Sequence, residues 1–266
     1  MLGAIIGDIA GSIYEWGHCP PEPDAVDLLP ACGGFTDDSV MTVAVASALL
    51  GYPHTDELGR AALVTSMQQW AQAVPVQQGG YGRAFSRWLD SHSPLPYGSF
   101  GNGAVMRVSA AGWLYPTRER TEHWAAVTAM VSHNHAQGVR GAQAVASAIY
   151  LARQGAHRQD ILDYVGRTYG YRLDVPLDQA VDPTLPVMSC QATVPEALVC
   201  FAHSTSFDHA VRLAVSLGGD TDTRGAVTGS IAEAYYGIDP QLAAHARSRI
   251  TWAMREVLDE VDRRAA

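Results

Sequence analysis

The chain has 266 residues, of which 47% are hydrophobic and 17% charged, so it can bury a large core and is not predicted to be disordered. All 18 basic residues are arginine, which excludes enzymes that depend on a Schiff-base, cofactor-binding or phosphate-loop lysine. With 27 acidic residues the formal net charge is −9, which is unfavourable for strong binding to nucleic acid or to an anionic membrane. Cations are the charged partners that this composition favours.

The expected environment is a reducing cytoplasm. The four cysteines form no CxxC pair and are too few for a disulfide-rich secreted domain, so we expect reduced structural thiols. They are Cys19, Cys32, Cys190 and Cys200. Asp8 interrupts the apolar N-terminal stretch, which lacks a basic flank and so is not predicted to be a signal peptide. Apolar runs such as residues 40–50 are shorter than the ~20 residues that cross a bilayer. The absence of lysine suggests a bacterial source with a GC-rich genome.

Apolar residues recur at three- and four-residue intervals along most of the chain, and this spacing predicts helices rather than strands. A first helix contains Gly3, Gly7 and Gly11 and ends near Glu15. A second follows Ser39. Further helices are predicted at about 55–74, 103–113, 121–132, 137–153, 159–169, 195–204, 208–217 and 222–236, with a final amphipathic helix over 242–261. Residues 16–35, 91–101 and 171–193 are predicted to be irregular, and irregular segments of this length often carry function. The prediction is one all-α domain over residues 1–266.

The glycines of the first helix recur every fourth residue and leave one face almost bare of side chains. Gly225, Ala226, Gly229 and Ser230 create a similar low face on a later helix. These two faces are predicted to pack against each other.

Two acidic segments each precede a helix rich in small residues: Thr36-Asp37-Asp38-Ser39 and Gly218-Gly219-Asp220-Thr221-Asp222-Thr223. Either segment alone is typical of a helix N-cap. Capping requires one side-chain oxygen per helix, whereas together these segments hold four carboxylates and three threonine hydroxyls. Such a surplus repels itself unless cations are bound, and its oxygen ligands suit Mg²⁺, Mn²⁺ or Ca²⁺. If the segments converge, they could hold two ions about 4 Å apart, as in hydrolytic two-metal sites.

Two other kinds of acidic site fit this sequence less well than a two-metal site does. An EF-hand loop beginning at Asp220 would need a glutamate at its twelfth position, which is Ile231. An aspartyl-phosphate enzyme needs its carboxylates after a buried strand, whereas residues 214–217 are predicted to end a helix. The second alternative stays open as a minor one.

Three further motifs have both a structural and a functional interpretation. The turn Gly101-Asn102-Gly103 could bind phosphate through backbone N–H groups, or could simply begin a helix. His133-Asn134-His135 is better suited to capping or to ligand hydrogen bonding than to zinc, because no further ligand is well spaced. Glu15 could be no more than a solvated carboxylate at a helix end.

These motifs resemble the ADP-ribosylglycohydrolase family in order and spacing. The resemblance covers about residues 3–237 and rests on five segments. They are Gly3-Ala4-Ile5-Ile6-Gly7-Asp8 with Tyr14-Glu15, Phe35-Thr36-Asp37-Asp38-Ser39, Gly101-Asn102-Gly103 with Met106-Arg107, Ser132-His133-Asn134-His135, and Gly218-Gly219-Asp220-Thr221-Asp222-Thr223.

The resemblance implies a compact orthogonal bundle of roughly a dozen helices with two Mg²⁺ ions, for which Mn²⁺ could substitute. It implies hydrolysis of the glycosidic bond between ADP-ribose and a protein or small-molecule acceptor. The implied metal ligands are Thr36, Asp37, Asp38, Asp220, Asp222 and Thr223. The implied catalytic residues are Glu15, Asp37, Asp38 and Asp222, and the implied substrate-binding residues are Gly101, Asn102, Gly103 and His133. A catalytically idle ADP-ribose-binding relative with the same fold is the alternative.

The chain departs from the resemblance at three places. Arginine-specific members carry an aspartate two residues before the Gly-Asn-Gly turn, where this chain has Ser99-Phe100, so an arginine acceptor is in doubt. Ala136 replaces a proline, which should affect the turn more than the chemistry. Arg224 is larger than the residue expected there, and we interpret it as a candidate contact to substrate phosphate. The sequence does not predict the acceptor, the proton donor or the oligomeric state.

Overall fold

The computed structural model describes residues 1–17, 21–51 and 55–265 of the chain. The only β-pairing within these ranges is an isolated antiparallel bridge between Gly101 and Ser189, which confirms the all-α prediction. The α-helices are α1 (Leu2–Gly11), α2 (Asp37–Leu50), α3 (Asp56–Ala73), α4 (Arg83–Leu89), α5 (Gly103–Met106), α6 (Ser109–Leu114), α7 (Arg118–Met130), α8 (Ala136–Arg153), α9 (Arg158–Tyr169), α10 (Cys190–His203), α11 (Phe207–Ser216), α12 (Thr221–Tyr236), α13 (Pro240–Ser248) and α14 (Trp252–Ala265).

Helices α1 and α12 pack with their backbones in direct contact. A Cβ atom on Gly7 would lie 2.0 Å from the carbonyl oxygen of Gly225, and one on Gly3 would lie 2.3 Å from that of Gly229. The contact therefore requires glycine on both helices, and the predicted packing of the two low faces is confirmed. Gly11 lies against Thr221, so the end of α1 is fixed beside the start of α12. This placement positions the acidic residues described below.

Two predicted helices are interrupted in the structure. The segment 103–113 divides into α5 and α6, and the fully buried side chain of Arg107 lies between them. The final segment divides into α13 and α14, because the Thr251 hydroxyl oxygen accepts a hydrogen bond from the Met254 N–H at 3.2 Å and starts a new helix. Apolar periodicity continues across both breaks, so the pattern alone could not locate them.

Other elements also differ from the prediction, among them the end of α1, the presence of α4 and the start of α10. Helix α1 ends at Gly11, four residues before Glu15, which lies in the turn that follows. Helix α4 was not predicted, because it is short and lies between glycine-rich and proline-rich segments. Helix α10 begins at Cys190, where the Ser189 hydroxyl oxygen accepts a hydrogen bond from the Ala192 N–H.

Cys32, Cys190 and Cys200 are free thiols, whereas Cys19 lies outside the described residues. None of the helices described is both long and apolar enough to cross a membrane.

Candidate active site

The first acidic segment forms the start of α2. The Thr36 Oγ1 accepts a hydrogen bond from the Asp38 N–H at 3.1 Å, so this residue is the N-cap, and Asp37 and Asp38 occupy the first turn. Asp8 of α1 accepts hydrogen bonds from the N–H groups of Thr36 and Ser39 at 2.9 and 3.1 Å, and from the Ser39 hydroxyl. Asp8 thus anchors the start of α2 to α1.

The second acidic segment meets the first at the start of α12. Thr223 Oγ1 donates to Asp38 Oδ2 at 3.2 Å, although the two residues are 185 positions apart in the chain. Thr221 Oγ1 donates to the carbonyl oxygen of Gly11 at 2.8 Å and ties the first turn of α12 to the end of α1. The glycine contact between the helices therefore brings both acidic segments to one place.

Glu15 joins this cluster from the turn after α1. Oxygen atoms of Glu15, Asp220 and Asp222 all lie within 4.8 Å of one another. The Trp16 N–H donates to the carbonyl of Gly219 at 3.1 Å, and the Trp16 indole donates to Glu15 Oε1 at 2.6 Å. Trp16 has a positive φ of 58°, which is uncommon for a bulky residue. The turn is thus held against the loop before α12 in a conformation that directs Glu15 to the other acids.

Burial leaves these carboxylates poorly solvated. It raises the pKa of Asp37 to about 7 and the pKa of Asp8 to about 6, with Asp8 adding electrostatic repulsion at Asp37. The pKa values of Asp38 and Asp222 are raised well above the ordinary range by burial first and by neighbouring carboxylates second. Burial also raises the pKa of Glu15. Among the described residues, no arginine forms an ion pair with any of these groups.

The donor atoms of the cluster fit a hard divalent cation. Asp8 Oδ1 and Asp38 Oδ1 are buried and have no hydrogen-bond partner in the described structure. A buried carboxylate oxygen without a partner is costly, and a bound cation removes that cost. Glu15, Asp220 and Asp222 offer further carboxylate oxygens within reach of one ion. The Thr36 and Thr223 hydroxyls both lie against Asp38 Oδ2.

The Gly101-Asn102-Gly103 turn lies beside the cluster and begins α5. Asn102 is buried, and its Nδ2 donates to Asp220 Oδ2 at 2.7 Å and to Thr193 Oγ1 at 3.1 Å. The side chain of Asn102 therefore orients an acid of the cluster. Gly101 and Gly103 line the cleft, and a Cβ atom on Gly103 would lie 2.9 Å from His133 Nε2. Glycine at this position leaves room for the histidine ring.

His133 and His135 separate in the structure. His135 Nδ1 accepts a hydrogen bond from the Gln137 N–H at 3.1 Å and caps α8, as the capping interpretation predicted. His133 is buried, and its Nδ1 lies 2.8 Å from Ser132 Oγ. Burial, together with the nearby Arg107 charge, holds the pKa of His133 well below its usual value, so the ring is neutral at neutral pH. Neither histidine belongs to a set of metal ligands in the part of the chain described.

These elements enclose an open cleft of about 280 Å³. Its lining combines the acids of the cluster with the Gly-Asn-Gly turn, aromatic side chains and His133. The lining residues are Glu15, Asp37, Asp38, Gly80, Gly82, Arg83, Ala84, Phe85, Tyr97, Ser99, Gly101, Asn102, Gly103, Met106, His133, Met188, Asp220, Asp222 and Thr223. Thr36 lies behind this surface and is fully buried.

A statistical model of the ADP-ribosylglycohydrolase family matches residues 1–265. The chain belongs to this family. Human ADP-ribosylhydrolase ARH3 is 28% identical over 90% of this chain and 85% of its own length. The ADP-ribosylarginine hydrolase Tri1 of Pseudomonas putida is 24% identical over 90% of this chain and 70% of its own length.

A solved structure described as an ADP-ribosylglycohydrolase-related protein complex covers 100% of this chain, and the match spans 97% of that structure's chain. Its TM-score is 0.72 at 24% sequence identity, which supports the fold. Family membership confirms the predicted enzyme class, a hydrolase of the ADP-ribosylglycohydrolase type.

Arg224 does not have the role predicted for it. It is buried, and its Nε donates to Glu196 Oε2 at 2.8 Å, while its Nη1 donates to the carbonyls of Ala214 and Gly218. The prediction of a phosphate contact is therefore wrong, because the guanidinium braces the loop before α12 from the interior. Ser99 lines the cleft, whereas the Phe100 ring packs against His135 at 5.5 Å.

Several residues that line or support the cleft could not be recognised from the sequence. Asp8 lies within a quoted family segment, but its apolar surroundings gave no sign that it supports α2. Arg83 and Tyr97 lie in segments without a recognised motif and reach the cleft through tertiary structure. Arg107 was part of a recognised segment, and only the structure reveals that it is fully buried.

Proposed function

We propose that the protein is a Mg²⁺-dependent hydrolase that cleaves the glycosidic bond between ADP-ribose and an acceptor. The convergence of Asp37 and Asp38 with Asp220 and Asp222 on one cleft is the observation that carries this proposal. Family membership supports the reaction, and the names of the human and Pseudomonas relatives describe hydrolases of ADP-ribosyl groups.

The proposed metal ligands are those that the resemblance implies: Thr36, Asp37, Asp38, Asp220, Asp222 and Thr223. We propose two Mg²⁺ ions, replaceable by Mn²⁺. When bound, such ions lower the pKa of water and orient substrate hydroxyls. Asn102 keeps Asp220 pointed into the cluster through the 2.7 Å hydrogen bond. Asp8 fixes the start of α2 and thereby the direction of Asp37 and Asp38.

The proposed catalytic carboxylates are Glu15, Asp37, Asp38 and Asp222. Each lines the cleft, so each can contact a bound substrate or water. Glu15 reaches the cluster from a turn rather than from a helix and is only half-buried, which leaves it access to the cleft opening. Gly101, Asn102, Gly103 and His133, which also line the cleft, would contact the ADP-ribosyl group.

The nature of the acceptor follows from the charges at the cleft. Of the acids that line it in the described structure, Asp37, Asp38, Asp220 and Asp222 are proposed to bind metal and Glu15 is proposed to act in catalysis. Ser99 lines the cleft at the position where the resemblance would place an aspartate that pairs with a guanidinium. A cationic arginine acceptor would thus lack a carboxylate partner of its own. We propose an acceptor without a guanidinium group.

A substrate panel tests this function. Arginine-, serine- and nucleotide-linked ADP-ribose are each incubated with the enzyme, with Mg²⁺ or with a chelator, and free ADP-ribose is measured. We expect release from a substrate without a guanidinium in Mg²⁺ only. Asp222→Asn should lower the rate about a hundredfold or more, because it removes a carboxylate of the cluster. Asp163→Asn, on the distant helix α9, is the matched control and should keep full activity.

Two results would contradict the proposal. Release of ADP-ribose at the same rate in chelator would exclude the metal requirement. Tight ADP-ribose binding in calorimetry without release from any acceptor would instead identify a catalytically idle relative.

A further inference from the structure

Arg107 carries a fully buried guanidinium that pairs with no carboxylate among the residues that the structure describes. Its Nη2 donates to the carbonyl of Thr128 at 3.2 Å and to Ser132 Oγ at 2.6 Å. Its Nε and Nη1 have no hydrogen-bond partner in the described structure, and the Phe85 ring lies 5.3 Å from the guanidinium carbon. Burying an unpaired charge is costly, so a purely structural role does not account for arginine at this position.

The hydrogen bonds fix the direction of the Ser132 hydroxyl. Arginine has only donors, so Ser132 Oγ must accept from Arg107. The hydroxyl proton is then free to go to the other polar neighbour, His133 Nδ1, at 2.8 Å. Because Nδ1 accepts the hydrogen bond from the Ser132 hydroxyl, a neutral His133 imidazole must carry its own proton on Nε2.

His133 Nε2 lies on the cleft side of the ring. It is the ring atom nearest to Gly103, and it also lies within reach of Gly101. His133 lines the cleft, and the hydrogen bond of its ring to Ser132 uses the other nitrogen, Nδ1. The Tyr97 ring packs against the imidazole with centroids 5.4 Å apart, and the Phe85 ring packs at 6.1 Å. The ring is therefore held in place with one polar atom open to the cleft.

We propose that Arg107 and Ser132 are positioning residues that fix His133 as the neutral Nε2–H tautomer, so that it donates a hydrogen bond to an oxygen of the bound ADP-ribosyl group. In this role His133 is a fixed donor and not a proton-transfer catalyst. The inference deepens the proposed function and rests on it for the identity of the ligand. The tautomer itself does not depend on any ligand.

The first test is the tautomer in the free enzyme. Two-bond ¹H–¹⁵N spectra of protein labelled at its 10 histidines distinguish Nδ1–H from Nε2–H, and His133→Gln assigns the signal. We expect a single Nε2–H form in the wild type. Arg107→Met removes the donor that holds the serine, so Ser132 can accept from Nδ1–H and a mixture should appear. Arg107→Lys keeps a cationic donor and should retain the wild-type tautomer.

The second test is binding of ADP-ribose by calorimetry. Ser132→Ala should weaken binding about tenfold, the effect of losing one well-formed hydrogen bond to the ligand. Ser132→Thr keeps the hydroxyl and should restore binding. This pair keeps the inference testable if Arg107→Met does not fold, as judged by circular dichroism.

Three results would overturn the inference: an Nδ1–H form or a mixture in the wild type, a folded Arg107→Met variant with pure Nε2–H, or Ser132→Ala that binds like the wild type. A wild type with the expected tautomer that binds no ADP-ribose would count against the proposed function alone. The two failures are therefore distinguishable.

Discussion

Arg83 is the only arginine that lines the cleft in the described structure, and it is exposed at the start of α4. The acidic residues of the lining are Glu15, Asp37, Asp38, Asp220 and Asp222, and ADP-ribose carries a negatively charged pyrophosphate. An arginine at the cleft is therefore the natural partner for that group, since guanidinium pairs well with phosphate oxygens. The same segment contains one further arginine, Arg87, which is not part of the cleft lining.

Replacing Arg83 should affect substrate binding more than turnover. Arg83→Ala should raise the KM for ADP-ribosylated substrate about fivefold to tenfold with little change in kcat, because a solvent-exposed charge contributes modestly to binding. Arg87→Ala, about one helical turn away on α4, is the matched control and should leave both constants unchanged. Steady-state kinetics provide the measurement. An unchanged KM in Arg83→Ala would remove this residue from the binding surface.

The contact between α1 and α12 determines whether the acidic segments can meet. It leaves no space for a side chain, because a Cβ atom on Gly225 would lie 2.4 Å from the carbonyl oxygen of Gly7. The bonds between Thr221 and Gly11 and between Thr223 and Asp38 depend on this close approach. The packing of two helices is thus a condition for the site.

Gly7→Ala should both destabilise the fold and reduce activity. The added methyl group meets rigid backbone, so the helices must separate at a cost of at least about 2 kcal/mol, and the acids of α12 move away from those of α2. Gly82→Ala is the stability control, because a Cβ atom there meets nothing within 4 Å. Urea unfolding followed by circular dichroism measures the difference. A Gly7→Ala variant as stable as Gly82→Ala would show that the close approach is unnecessary.

Sequence patterns predicted the elements better than their ends. The glycine spacing predicted the α1–α12 contact because only small residues permit such an approach, and the acid-rich caps predicted where α2 and α12 begin. The breaks before α6 and α14 were missed, since Arg107 and Thr251 interrupt helices without interrupting the apolar pattern. Arg224 was misinterpreted because a charged residue in a motif gives no indication of whether it faces the cleft or the interior. Burial is a property of the folded chain.

The negative charge of the protein and the stability of its folded state are linked through the acidic cluster. The chain has a formal net charge of −9, and several of its carboxylates are buried together without an arginine partner. Cations that bind this cluster stabilise the folded state alone, because the unfolded chain does not bring the two segments together. The proposed active site is therefore expected to weaken the fold when it is empty of metal.

Mg²⁺ should raise the thermal stability of the protein. At a free concentration about 100 times the dissociation constant, one site adds about 2.7 kcal/mol to the free energy of unfolding. Differential scanning fluorimetry with and without chelator measures the shift in Tm. Asp222→Asn should lose most of this shift, whereas Asp163→Asn should keep it. An equal shift in Asp222→Asn and wild type would place the stabilising ions elsewhere on the molecule.

The central claim is that segments 36–39 and 218–223 jointly bind divalent cations in the cleft. Anomalous diffraction from crystals grown with Mn²⁺ tests it most directly, because the metal positions are then located independently of the protein atoms. We expect two anomalous peaks among Asp37, Asp38, Asp220 and Asp222 in the wild type, with at least one lost in Asp222→Asn. Crystals with strong anomalous signal elsewhere and none among these four carboxylates would contradict it.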